Sequence, residues 1–290
     1  MGEGGRPSPG CWWYADQGIV AVLTIGRIDY ANCHPVYTEF LREHESSYRF
    51  VEGVPSRLNS LLSAGEIDVS PSSSIEYARH ADFYHLFPGI SISSIGPVNS
   101  VILRSSLPID SLDGKTIALT TDSATSVVLL KILLRKYLRF TNRFVAAPDR
   151  SAGKGEAGML VIGDRALAPS DTEIFPYTYD LGSIWFDRTG LPFVFALWIV
   201  HRNAVISRGD EVRICARRFL DSRDRAVTRY PSYRDDYRGT PLEGVDLVTY
   251  WKAISYDLTP WHCEGLLRFY ADAVEIGELK RVPPLQFISP

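Results

Sequence analysis

Short apolar runs alternate with longer amphipathic segments along the first 200 residues, and this pattern predicts strands that are followed by helices. The predicted strands are Val20–Ile25, Tyr48–Val51, Ile67–Val69, Gly89–Ser94, Asn99–Ser105, Lys115–Thr120, Met159–Ile162, Asp180–Asp187 and Phe193–Val200. Beyond residue 203 the pattern is helical, apart from a Tyr- and Arg-rich loop at 229–240. The chain is therefore predicted to be an α/β protein with a helical final third.

Helix start signals follow several of these strands. Pro55 lies in the first turn of one predicted helix. Ser73 and Glu76 have the spacing of a capping box at the start of the next one. Asp122 or Ser123 caps a strongly amphipathic helix. The other predicted helices in this part are Pro35–Arg42 and a short helix after Gly163 and Asp164.

Alternating strands and helices imply parallel sheets with helices on both faces. In such sheets ligands bind at the carboxyl ends of the strands, where helix N-termini point. Junctions rich in hydroxyl or amide side chains occur at Asn32, Ser70–Ser73, Thr121–Ser126 and Gly163–Asp164. Because two junctions fall in each half of the α/β pattern, we expect a cleft between two lobes that holds an anion.

Composition and charge narrow the class of protein. The 290 residues are 45% hydrophobic, so the chain can bury a large core. The net charge is −3 and like charges are not clustered, which argues against nucleic acid or an anionic membrane as partner. The apolar stretch at 19–25 is too short for a secretory or membrane segment, and residues 1–16 are predicted to form a flexible arm. These features predict a cytoplasmic location, and the four widely spaced cysteines are predicted to be reduced.

Common catalytic motifs do not occur in the sequence. There is no GxSxG, P-loop, HExxH or strand-linked GxGxxG pattern, and the six histidines lack metal-ligand spacing. We therefore expect neither a metal nor a cofactor. What the junctions offer is neutral hydrogen-bond donors at positive helix ends, which suit carboxylates.

Each of these polar residues also has a structural interpretation. Serine and threonine are ordinary N-caps, but the runs Ser70–Ser74 and Thr120–Ser126 contain more hydroxyls than one cap requires. Asn32 follows the first strand directly, where it either contacts a ligand or caps the helix that Pro35 opens. The residues alone leave both possibilities open.

Several longer motifs together resemble the menaquinone-biosynthesis family that contains chorismate dehydratase. They are IGRIDYANCHPVY, GVPSRLNSLLSAGEIDVSPSSSIEYA, PGISISSIGPVNSVILRSS, LDGKTIALTTDSATSVVLLKILL, AGMLVIGDRAL, YDLGSIWFDRTGLPFVFALWIV and YWKAISYDL. The resemblance spans residues 20–272 in register and leaves out residues 1–16 and the loop 229–240.

The resemblance implies a two-lobed type II periplasmic-binding-protein-like fold with a ligand cleft between the lobes. Two crossing segments, near 100–106 and 191–200, would join the lobes. Lobe one would comprise residues 17–104 plus 192–290, and lobe two residues 105–191.

The implied reaction is the cofactor-free loss of water from chorismate, giving 3-[(1-carboxyvinyl)oxy]benzoate in the futalosine route to menaquinone. By motif, Asn32 and Ser100 match the family's active-site asparagine and serine, with Ser94 as the alternative serine. The predicted binding residues for the two substrate carboxylates are Ser70 and Ser72 on one side and Ser123, Ala124, Thr125 and Ser126 on the other. Asp164 is expected to cap a helix and shape the cleft. His34 and Asn99 depart from the residues common in the family.

Three other functions compete with this one. The sister enzyme that forms 1,4-dihydroxy-6-naphthoate relies on a histidine in the second lobe, whereas this chain has none between His85 and His201. A non-catalytic cytoplasmic binding protein for an aromatic or dicarboxylic acid would share the fold. A paralogue that dehydrates a similar compound in specialised metabolism would share the site as well. The sequence does not indicate an oligomeric state.

Overall fold

The computed structural model describes residues 22–147, 155–168 and 174–289. Within these residues the strands form two sheets with helices packed on them, which confirms the predicted α/β class. The predicted arm at 1–16 lies outside the described residues. None of the described helices is long and apolar enough to cross a membrane.

Sheet one has six strands: β1 (Thr24–Arg27), β2 (Arg49–Glu52), β3 (Val69–Ser73), β4 (Tyr84–Ser94), β10 (Phe193–His201) and β11 (Ile254–Leu258). Their order in the sheet is β11-β4-β10-β3-β1-β2. The strands β1, β2 and β3 run parallel, while β10 is antiparallel to both of its neighbours. Sheet one therefore combines an early and a late part of the chain.

Sheet two has five strands: β5 (Val101–Ser105), β6 (Thr116–Leu119), β7 (Arg143–Ala146), β8 (Gly158–Ile162) and β9 (Tyr177–Asp180). Their order in the sheet is β7-β6-β8-β5-β9. The strands β6, β7 and β8 are parallel, and β5 is antiparallel to β8 and β9. We call sheet one with the helices packed on it lobe one, and sheet two with its helices lobe two.

The helices connect the strands and cover both sheets. They are α1 (His34–His44), α2 (Pro55–Ser63), α3 (Ser74–Arg79), α4 (Ala124–Ile132), α5 (Asp164–Leu167), α6 (Leu181–Thr189), α7 (Arg202–Ser207), α8 (Gly209–Val227), α9 (Leu247–Ala253) and α10 (Pro260–Glu275). A π-helical turn, Leu133–Tyr137, extends α4, and a 3₁₀ helix, Tyr230–Tyr237, lies in the segment predicted as a loop.

Two short segments carry the chain between the sheets, one after β4 and one after β9. Asp180 ties them together because its carboxylate accepts the backbone N–H groups of Val98 (3.1 Å) and Asn99 (2.6 Å). A Cβ added to Gly182 would lie 2.5 Å from the carbonyl oxygen of Gly96, so only glycine allows this approach. The predicted lobe limits stay a prediction, although β5 lies wholly in sheet two.

The structure corrects several predicted elements. Residues 181–187 form helix α6 instead of a strand, because Asp180 caps it by accepting the N–H of Ser183 and Gly190 ends it with a φ of 68°. Strand β11 lies in the part predicted to be entirely helical. The predicted capping box also fails, since no side-chain hydrogen bond caps α3 at Ser73.

Candidate functional site

Asn32 lies in the loop between β1 and α1, at the edge of sheet one that faces lobe two. Its side-chain oxygen Oδ1 is buried and has no hydrogen-bond partner among the described residues. The indole N–H of Trp251 donates to the carbonyl oxygen of Ala31 at 2.7 Å, and the Tyr256 hydroxyl donates to that of Asn32 at 2.7 Å. The backbone is thus fixed while the amide oxygen remains available to a ligand.

Ser70 and Ser72 lie in strand β3 instead of the loop that the sequence predicts, and both are buried. The hydroxyl of Ser70 donates to the carbonyl oxygen of Pro71 at 3.1 Å and faces Gly26, where an added Cβ would come within 2.6 Å. The hydroxyl oxygen of Ser72 has no partner in the part of the chain that the structure describes. Of these two serines, Ser72 is therefore the one with an unsatisfied buried oxygen, which a ligand would satisfy.

Ser94 and Ser100 flank the first segment between the sheets. The Ser94 hydroxyl donates to the carbonyl oxygen of Gly96 at 2.9 Å. Ser100 is buried, and its hydroxyl oxygen accepts from the Tyr250 hydroxyl at 3.0 Å. Burial raises the pKa of Tyr250, so its phenol stays protonated and keeps donating at neutral pH. This bond leaves the hydroxyl hydrogen of Ser100 to donate to a ligand.

The N-terminus of α4 brings together the second predicted group, Ser123 to Ser126. Ser123 is the N-cap: its oxygen accepts the N–H of Ser126 at 3.3 Å and lies 2.9 Å from the Ser126 hydroxyl. Ala124 begins the helix. Thr125 is buried, and its hydroxyl oxygen accepts the N–H of Ile75 in lobe one at 3.1 Å. Thr125 therefore connects α4 of lobe two to α3 of lobe one in a buried contact between the lobes.

Thr125→Val should weaken this connection. Valine has the size of threonine but leaves the N–H of buried Ile75 without its acceptor, which lowers the free energy of unfolding by about 1–3 kcal/mol. Thr125→Ser keeps the oxygen and is expected to lose less stability. Urea denaturation of both variants measures the difference, and equal stabilities would rule out a contribution from this hydrogen bond.

Asp164 is the first residue of α5, directly after Gly163, and its carboxylate crosses to lobe one. Oδ1 accepts the N–H of Ala31 at 3.0 Å. Burial raises the pKa of this carboxyl, and the charge of Asp29 acts in the same direction, while the Ala31 N–H and His34 lower it. The predicted helix-cap role of Asp164 is wrong, because Gly163 occupies the N-cap position. The role of Asp164 in shaping the cleft stays a prediction.

A cavity of about 380 Å³ opens beside Asp164 at the boundary of the lobes. Its walls include Asp29 and His34 from lobe one and Tyr237 and Leu242 from the segment before α9. The His34 imidazole lies 2.8 Å from the Asp236 carboxylate, which places this segment over the loop that carries Asn32. No group of His, Cys, Asp and Glu that could hold a metal ion occurs among the described residues.

Sequence reasoning missed the aromatic residues that support the site. Tyr250, Trp251 and Tyr256 contact Ser100, Ala31 and Asn32 from positions 150 to 224 residues away in the sequence. They fall in the motif YWKAISYDL, which supported the resemblance but carried no predicted role. Ser94, Ser100 and Asn32 thus lie on lobe one or its connection, and Ser123 to Ser126 with Asp164 lie on lobe two.

Comparison with known sequences identifies relatives of the chain. A family model described as menaquinone biosynthesis matches residues 23–275. The chain is 37% identical over 199 residues to a chorismate dehydratase of Thermus thermophilus, a match that covers 62% of this chain and 70% of the relative. It is 30% identical over 180 residues to a chorismate dehydratase of Campylobacter jejuni, with 60% of this chain and 66% of the relative covered.

Solved structures resemble the chain in fold. A protein of Archaeoglobus fulgidus superimposes with a TM-score of 0.67 at 19% identity, covering 88% of this chain and 97% of that chain. The periplasmic aliphatic sulphonate-binding protein of Escherichia coli gives a TM-score of 0.62 at 14% identity, covering 93% and 94%. These similarities confirm the predicted two-lobed type II periplasmic-binding-protein-like fold.

Proposed function

Because the chain belongs to the menaquinone biosynthesis family, we propose that it is an enzyme that removes water from chorismate. The product is 3-[(1-carboxyvinyl)oxy]benzoate. The family assignment covers 23–275, which includes every predicted site residue. The two relatives named above, both chorismate dehydratases, support a hydro-lyase activity.

The observation in the structure that carries the proposal is that two of the buried side-chain oxygens without partners among the described residues follow or end neighbouring strands of sheet one. Asn32 Oδ1 and Ser72 Oγ lie at the carboxyl ends of β1 and β3, which are neighbouring strands, and neither is satisfied within the described residues. Leaving a buried polar atom unpaired costs about 1–3 kcal/mol, so such atoms usually have a ligand or water in the working protein. A polar substrate in the cleft would pair with both.

The reaction itself needs few catalytic groups. The ring of chorismate loses the C3 proton and the C4 hydroxyl, which leave as water, and becomes aromatic. The aromaticity of the product ring supplies a large driving force. The protein therefore needs only to hold the chorismate dianion in the reactive pose, exclude water and stabilise developing charge. The enolpyruvyl carboxylate of the substrate is our proposed acceptor of the C3 proton. The neutral side chains of Asn32, Ser72 and Ser100 suit this mechanism.

We assign roles from the hydrogen-bonding state of each residue. The Asn32 amide contacts the departing hydroxyl, and the Ser100 hydroxyl, polarised by the Tyr250 donor, donates to the same region. Ser72 binds one substrate carboxylate. The N-terminus of α4 at Ser123 and Ala124 faces the other carboxylate from lobe two.

In the first experiment the purified protein is mixed with chorismate, and chorismate and its product are followed by chromatography with mass detection. We expect a product lighter by one water without an added cofactor. If chorismate stays intact although the folded protein binds it, the activity is refuted and a binding protein becomes the better interpretation. Release of 1,4-dihydroxy-6-naphthoate from a cyclic futalosine derivative would instead identify the sister enzyme.

Two finer statements accompany this proposal. We propose that the product enters the futalosine route to menaquinone and that the chain works in the cytoplasm. Loss of menaquinone after deletion of the gene, restored by supplied product, would support the first statement. Fractionation of cells that carry a tagged chain tests the second.

A further inference from the structure

The turn between β8 and α5 makes hydrogen bonds to Ser100 and to Ala31, the residue directly before Asn32. The N–H of Gly163 donates to the carbonyl oxygen of Ser100 at 2.8 Å. The carboxylate of the next residue, Asp164, accepts the N–H of Ala31 at 3.0 Å, one residue before Asn32. Two consecutive residues of lobe two thus connect the backbone of Ser100 to that of Ala31, next to Asn32.

The other bonds that fix the Asn32 loop come from lobe one. Trp251 lies in α9 and Tyr256 in β11, and each donates to a carbonyl oxygen of this loop. Since both belong to the same lobe as the loop, they hold it whether the lobes are open or closed. The Asp164 bond joins the two lobes, so it depends on how the lobes are placed relative to each other.

The local structure is specialised for this contact. Gly163 has a φ of 61° and a ψ of −147°, a conformation that residues with a Cβ rarely adopt. Burial raises the pKa of Asp164, so this site disfavours the charge that the residue brings. A half-buried carboxylate at such a position is consistent with a role beyond stability.

We propose that the Gly163–Asp164 turn positions Asn32 relative to Ser100 on lobe closure, with Asp164 acting through the N–H of Ala31. The inference rests on the proposed function, because it assigns Asn32 to the departing hydroxyl. Asp164 is a positioning residue in this scheme and does not touch the substrate. A displacement of the reactive group by about 1 Å can reduce turnover by about 100-fold.

The variants Asp164→Ala and Asp164→Asn separate a positioning role through the Ala31 N–H from an effect of the carboxylate charge. Asp164→Ala removes the acceptor of the Ala31 N–H, and kcat should fall about 10- to 100-fold. KM should rise by a smaller factor than kcat falls. Asparagine keeps an oxygen that accepts the Ala31 N–H, so it should restore most of the lost kcat. Asp187→Ala, at an exposed position of α6 in the same half of the sequence, is the matched control and should behave like the wild type.

A double variant tests whether Asp164 acts through Asn32. If it does, Asn32→Ala with Asp164→Ala should be no slower than Asn32→Ala alone, because the group being positioned is already missing. If the fold-reductions in kcat of the two single variants multiply in the double variant, the inference is overturned. A folded Asp164→Ala protein with the kcat of the wild type would also overturn the inference. If Asp164→Asn has a kcat as low as that of Asp164→Ala, the negative charge of Asp164 matters instead of its hydrogen bond to Ala31.

Hydrogen exchange gives a readout that does not depend on turnover. The amide of Ala31, followed in peptides that cover residues 28–36, should exchange faster in Asp164→Ala and at the wild-type rate in Asp164→Asn. Unchanged exchange in Asp164→Ala would overturn the positioning role. If the wild type fails to dehydrate chorismate, the proposed function fails, and the exchange experiment still decides whether Asp164 holds this loop.

Discussion

Replacing Asn32 by alanine is expected to lower kcat for chorismate dehydration by about 10²- to 10³-fold, the typical effect of removing one preorganised polar group from an active site. Alanine removes the amide that contacts the departing hydroxyl. It leaves the backbone bonds of Tyr256 and Asp164 in place. Because the product lacks this hydroxyl, its affinity should change much less than kcat. Chromatographic rates and calorimetric titration with the product measure the two quantities.

Two further variants sharpen this experiment. Asn203→Ala removes an exposed asparagine at the start of α7 and should keep the wild-type kcat. Asn32→Asp keeps the shape of the side chain but replaces the amide donor by an oxygen, and we expect its kcat to fall about as far as that of Asn32→Ala. A folded Asn32→Ala protein that turns over chorismate at the wild-type rate would remove Asn32 from the mechanism.

Glu39→Ala is expected to cause the largest loss of stability among the single substitutions considered. Glu39 lies in α1, the helix that follows the Asn32 loop, and its side chain is completely buried. Its carboxylate accepts from Arg42 at 2.7 Å, from Arg229 at 3.0 Å and from the Tyr233 hydroxyl at 2.7 Å. Removing one partner of a buried ion pair costs about 3–5 kcal/mol, and we expect about 3 kcal/mol because both arginines are partly exposed.

The matched control is Glu43→Ala, one turn further along α1. Glu43 is exposed and pairs with Arg225 at 3.2 Å, so its replacement should change the free energy of unfolding by less than about 1 kcal/mol. Urea denaturation of both variants gives the comparison. Equal stabilities would show that the buried cluster around Glu39 contributes no more than a surface pair.

The sequence predicts those parts of the site that depend on neighbours along the chain. Ser123 caps α4 as one of the two residues expected to do so, and Asn32 follows β1 at a strand-to-helix junction. Both features depend on local rules for strand ends and helix caps. The position of the cleft follows from the same rules, since the junctions lie at the carboxyl ends of parallel strands.

Contacts between distant parts of the chain were not predictable in this way. Thr125 has the sequence pattern of a ligand-binding threonine, yet its hydroxyl oxygen accepts the N–H of Ile75. This bond depends on how the two lobes pack together, which the sequence pattern does not show. The helix at 181–189 shows a second reason. Its apolar residues fit a strand pattern equally well, and Asp180 and Gly190 decide the outcome as helix cap and terminator.

The strand order of the two sheets also determines when each can be completed during synthesis. All strands of sheet two come from one continuous stretch, residues 101–180, whereas β10 separates β3 from β4 in sheet one. Until residue 201 has left the ribosome, β3 and β4 therefore lack their common neighbour and expose unpaired backbone groups. Lobe two can become compact first and lobe one must wait for its last strands, so the nascent chain is most open to aggregation through the edges of β3 and β4.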